Sequence, residues 1–133
     1  MITKNAIFTR VKTAITAEYS DAYCTSERLY TQTKFPCVSI VEIDTYPEKS
    51  STALDFADEQ RRSDLEIQAY SNKQSGAANE AANIISVATA ELRHLGYRCT
   101  MSAPIDNGAD TAIKRHVARY TRYIGGGDTL PTV

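Results

Sequence analysis

Ser63-Asp64-Leu65-Glu66-Ile67-Gln68-Ala69-Tyr70-Ser71 decides the fold. Leu65, Ile67 and Ala69 alternate with Glu66, Gln68 and Tyr70, so one side of the stretch is apolar. A period of two marks a strand with one buried face. A few residues later the period changes. Ala77, Ala81, Ile84, Ile85, Ala88, Leu92 and Leu95 recur at spacings of four, three, one, three, four and three, and Gly96 follows. That is the stripe of an amphipathic helix with a glycine stop. Asn72 or Ser75 is placed to cap its start. A strand that runs straight into a helix with a matching apolar face points to a sheet with helices packed on one side.

The rest of the chain fits around this unit. Ile7, Val11, Ala14 and Ile15 form a first helical stripe, capped by Thr3 and running to about Tyr19. Ala22 to Phe35 is polar and irregular. After Phe35-Pro36, the β-branched run Cys37 to Ile43 reads as a strand. Tyr97 to Ala103 alternates again, Pro104 to Thr111 reads as a turn region, and Ala112 to Ile124 as a long strand. Tyr46 to Arg62 differs from all of these. It holds Pro47, paired serines and dense charge without a period, and reads as a long loop or an extended hairpin arm. The expected class is therefore α+β: a mixed, mainly antiparallel sheet of about four strands, two helices on one face, and the arm. Residues 1–124 are expected to form a single domain. Residues 125–133, beginning with Gly125-Gly126-Gly127, are expected to form a flexible tail.

Composition narrows the function. The chain has 133 residues and a formal net charge of -1, so no global field attracts nucleic acid. Met1 to Tyr19 lacks the continuous apolar core of a signal peptide, and no stretch approaches the length of a membrane helix. Folding in the cytoplasm is the expectation. Cys24, Cys37 and Cys99 are odd in number and widely spaced, which signals neither a zinc site nor a redox dithiol.

Chemistry-bearing residues are few. Glu91 and His94 share the Glu-x-x-His spacing of di-iron helical bundles, but those sites draw further carboxylates from other helices, and only two helices are expected here. A solvated histidine at the helix end is the plainer reading. His116 lies in a strand beside Lys114 and Arg115, as a surface or interface residue would. Asp55, Asp58 and Glu59 lack the alternation and glycine of a calcium loop. With Asp64 and Glu66 they read as a solvated or partner-facing charge cluster. Gly125-Gly126-Gly127 is followed by no helix and so cannot seat a phosphate at a helix N-terminus. No catalytic, metal or cofactor-binding residue is assigned. Lys114, Arg115, Arg119 and Arg122 make the last strand the most basic, with Arg115 and Arg119 on one face and Lys114 and Arg122 on the other. That pattern suits a subunit interface, a channel wall, or an edge strand guarded by charge against aggregation.

Together, Phe35-Pro36-Cys37-Val38-Ser39-Ile40-Val41-Glu42, the strand Leu65 to Asn72 leading into a helix, the Leu95-Gly96-Tyr97 stop and the closing strand Ile113 to Tyr120 resemble the small tail-terminator and tail-completion proteins of long-tailed bacteriophages. The resemblance covers roughly Met1 to Ile124 and rests on element order, length and loose patterns. It implies a structural virion protein, assembled in the host cytoplasm and located at the tail or neck. It implies a ring, usually of six copies, that sits on the finished tail tube, stops its growth and meets the head connector. DNA would pass through the lumen without sequence-specific binding. The arm residues Asp55, Asp58, Glu59, Arg61 and Arg62 would then reach a neighbouring copy, and Lys114, Arg115, Arg119 and Arg122 would face an interface or the lumen. A head-closure or connector-type neck protein is the nearest alternative. An enzyme using Cys24 or a histidine, and a nucleic-acid module using Arg115, Arg119 and Arg122, are readings of other classes.

Overall fold

A computed structural model describes residues 2–29, 31–47, 61–108, 110–125 and 127–131. Among them run α1 (Lys4–Glu18), β1 (Tyr23–Thr25), β2 (Cys37–Pro47), β3 (Arg61–Ser71), α2 (Ala77–His94), β4 (Arg98–Ile105) and β5 (Lys114–Ile124). The strands form one sheet in the order β1-β2-β3-β5-β4. Only β1 and β2 pair in parallel; the other neighbours are antiparallel. The fold is thus the expected α+β class, with five strands where about four were expected.

Both helices cover one face of the sheet. Ile7, Val11 and Ile15 of α1 meet Ala81, Ile84, Ile85, Ala88 and Leu92 of α2 and the buried strand residues Val38, Ile40, Leu65, Ile67 and Ala69 in a single core. The alternation read at 65–69 and the helical stripe read from Ala77 are thus the two sides of one interface. Burying each of these larger side chains stabilises by about 1.5–3 kcal/mol. Polar tips inside the layer are paired. Tyr97 Oη and Ser63 Oγ lie 2.8 Å apart, as do Tyr120 Oη and Thr89 Oγ1 at 2.7 Å, and Ser71 Oγ donates to Glu80 Oε1 at 2.7 Å. Arg10 and Glu91, 3.2 Å apart, tie the two helices together.

Several boundaries differ from the sequence reading. Tyr23–Thr25 is a strand inside the stretch read as irregular. Three residues are too few to show a period, and the strand exists because β2 offers it a parallel edge. Tyr46, Pro47, Arg61 and Arg62 belong to paired strands, since Tyr46 pairs with Arg62 and Pro47 with Arg61. Of the two readings of the arm, the structure therefore shows a hairpin stem; residues 48–60, with Asp55, Asp58 and Glu59, lie outside the described residues. The cap of α2 is neither Asn72 nor Ser75 but Gly76, in a left-handed conformation (φ 81) that favours glycine. Gly96 (φ 90) does close the helix, and Thr3 does cap α1, accepting from the Ala6 N–H at 3.2 Å. Pro104, read as turn, sits in β4, where an outermost strand tolerates its missing N–H.

Regular structure ends at Ile124, but the described residues beyond it return to the domain. Asp128 Oδ2 accepts from the Gly125 N–H at 2.8 Å and lies 3.5 Å from Arg122. Arg10 Nη1 donates to the Pro131 carbonyl at 2.6 Å, and Leu130 packs against the core.

Candidate functional site

Of the residues picked out by sequence, Cys37, Arg62, Arg115 and Arg119 lie on the face of the sheet turned away from the helices. Register places Glu66, Gln68 and Tyr70 of β3 beside Arg119, Val117 and Arg115 of β5 on this face. Glu66 is the centre of a polar chain. Only 4 % exposed, it is held by Arg119 at 2.9 Å and Arg28 at 3.2 Å. Gln68 Nε2 donates to Glu66 Oε1 at 2.8 Å, and Tyr70 Oη donates to Gln68 Oε1 at 2.6 Å. A buried carboxylate is tolerated only when charge and hydrogen bonds replace its water, and this one has both.

The two halves of this face are not alike. On the β1–β2 side, Cys37, Ser39 and Tyr70 are buried although no helix lies over them. The connection from β1 to β2 supplies cover: Ser39 Oγ donates to the Glu27 carbonyl at 3.0 Å, and Arg28 reaches Glu66. On the β4–β5 side the described residues leave the face open around Arg98 and Tyr123. There Arg62, Asp64, Arg98, Arg119, Thr121 and Tyr123 line a shallow hollow of about 400 Å³. Arg62 is paired with Asp64 at 3.1 Å, while Tyr123 is 51 % exposed and Arg98 is exposed. A hollow that shallow and charged is unlike the enclosed, mostly apolar pockets that hold small molecules.

The basic residues of β5 divide as expected. Arg115 and Arg119 share the open face, and Arg122 turns to the helix side, where it donates to the Leu95 carbonyl. Arg115 Nη2 donates to the Asp106 carbonyl at 3.1 Å, and Lys114 lies at the start of the strand. Arg61 is drawn inward, donating to the Ile2 carbonyl at 3.1 Å and lying 3.6 Å from Glu42. Arg61, Arg119 and Arg122 therefore also hold this fold together. Sequence reasoning missed Arg28, and it grouped Glu66 with Asp64 and the arm acids as a solvated or partner-facing cluster, whereas Glu66 is buried and paired inside the fold. The only hint was a glutamate on the polar side of an otherwise regular strand.

The remaining candidates are spread across the molecule. Cys24 and Cys37 are buried free thiols; burial pushes Cys24 up to about 11 and raises Cys37 as well. Both are protonated at neutral pH and hence poor nucleophiles. Glu91 is engaged with Arg10, and among the described residues no group of three or more His, Cys, Asp or Glu is placed to hold a metal ion. His116 Nε2 lies 2.9 Å from Ser102 Oγ across β4 and β5, and burial lowers its pKa, so the imidazole is neutral at pH 7. Among the described residues nothing orients the other ring nitrogen, which a working nucleophile–base pair requires. Among them, too, no helix is long and apolar enough to cross a membrane.

No protein-family model matches the chain, and no curated protein matches it. What remains to indicate function is the sheet itself, with its closed helical face, its half-open second face and its β2–β3 hairpin.

Proposed function

We propose that this chain is a ring-forming structural subunit of a virion, a tail terminator that caps the head-proximal end of a phage tail tube and joins it to the head connector. One observation carries the reading beyond the sequence resemblance. β2 and β3, each of 11 residues, stay paired to the Pro47–Arg61 rung at the end of the sheet, and charged residues 48–60 follow from that end. The sheet also keeps an open, charged half-face beside its edge strand β4. A closed ring of identical copies needs two different surfaces on each copy. The hairpin end and the open half-face are two such surfaces.

In this reading the helical layer acts as scaffold, the hairpin and the open face join copies, and DNA passes through the lumen without base readout. The alternative, a head-closure or connector-type neck protein, uses the same two surfaces and differs in what the ring stacks on. The mass of the purified chain in solution, with and without tube subunits, tests the reading. A ring of several copies that binds tube ends and halts their growth is expected. A strict monomer, or tubes that lengthen unchecked in its presence, overturns it; a ring that ignores tubes and binds portal-side protein selects the alternative.

A further inference from the structure

We infer that the open half of the second sheet face, around Arg98, Arg119 and Tyr123, is the docking site for residues 48–60 of a neighbouring copy. The inference rests on the ring reading and deepens it, because it names the two surfaces that meet.

Charge leads to it. Lining the hollow, Arg62, Arg98 and Arg119 stand against Asp64, a local cationic excess in a chain whose net charge is -1. Arg98 is exposed and makes no ion pair among the described residues. The balancing negative charge is not spread evenly over the chain. Glu42, Asp64, Glu66, Glu80, Glu91 and Asp128 are each taken up by internal ion pairs. By sequence, residues 48–60 hold Glu48, Asp55, Asp58 and Glu59 against the single cation Lys49, a net of -3. The most acidic stretch of the chain thus has its complement on the open face.

The apolar side of the match agrees. Leu54 and Phe56 flank Asp55, so the same short stretch offers apolar anchors between its acids. The hollow offers Tyr123, half-exposed, among its arginines. Aromatic and arginine side chains together are the usual energetic centre of protein contacts. Arginine also suits carboxylate recognition, since its planar fork meets both oxygens. Docking of this kind is heterologous: each copy gives its acidic segment to one neighbour and its basic face to the other, so the contact propagates around a ring.

The test uses two variants of the full chain. Asp55→Lys/Asp58→Lys/Glu59→Lys inverts the segment, and Arg98→Glu inverts the face at an exposed residue that no internal ion pair needs. Each is expected to weaken self-association by about tenfold or more at low salt, with the circular-dichroism spectrum of the folded chain unchanged. Mixing the two variants in equal amounts is expected to restore the oligomer, because lysine segments then meet glutamate faces. Variants that assemble like the unaltered chain, or a mixture that recovers nothing, overturn the docking while leaving the ring reading intact. An unaltered chain that never leaves the monomer overturns both. A short DNA duplex that binds the unaltered chain and loses affinity only on Arg98→Glu, with the oligomer unaffected, assigns the face to nucleic acid instead.

Discussion

The two faces of this sheet use the same strands and are buried in different ways. Toward the helices, Val38, Ile40, Leu65, Ile67 and Tyr120 are removed from water by apolar partners. Toward the other side, Ser39, Glu66 and Tyr70 are also buried, yet what surrounds them is hydrogen bonds, two guanidinium groups and the chain's own β1–β2 connection. Apolar transfer is roughly proportional to area and nearly indifferent to direction, so the first face seals itself. Polar satisfaction is directional, and it reaches only as far as the available partners. Hence the second face closes where Arg28 and Glu27 lie and, among the described residues, stays open where Arg98, Arg119 and Tyr123 lie. A face that a single copy leaves half-finished is where assembly has something to gain.

The contrast is sharpest at Ile67 and Glu66, adjacent residues that point to opposite sides. Ile67→Ala opens a cavity between α2 and the sheet and is expected to cost about 3–4 kcal/mol, read by urea denaturation. Glu66→Gln keeps the shape but removes the charge that Arg28 and Arg119 share. Both arginines are more than half exposed and can turn to water, so a smaller loss of about 1–2 kcal/mol is expected. Equal losses at the two positions would erase the distinction between the faces.

The third effect is smaller and depends on pH. Cys24 faces the helical core, and its folded pKa of about 11 lies above the value of 9.0 expected when exposed. The raised pKa means that its contribution to stability is complete below pH 9 and is lost as pH rises toward 11. Unfolding free energies from urea titrations at pH 8 and pH 10.5 should therefore differ by more in the unaltered chain than in Cys24→Ala, by about 1 kcal/mol once partial solvent access is allowed for. Equal differences in the two proteins would mean that this thiol is not held in the sealed face.

Much of the first face is legible in the order of residues alone. Thr3, the stripe from Ile7, the alternation at 65–69 and the long stripe from Ala77 to Leu95 are local patterns, and each element lies within a residue or two of its expected place. The second face is not legible in this way. Its central ion pair joins residues 53 apart in sequence, Glu66 and Arg119, and its cover begins in a strand of three residues.

Periodicity along the chain determined which segments become helix or strand and which side of each is apolar, because those choices depend on neighbours one to four residues away. Tertiary structure alone decided the strand order β1-β2-β3-β5-β4, the partners of Glu66 and the half of the sheet that remains open. These depend on pairings between distant segments, whose geometry is set only when the whole sheet has formed.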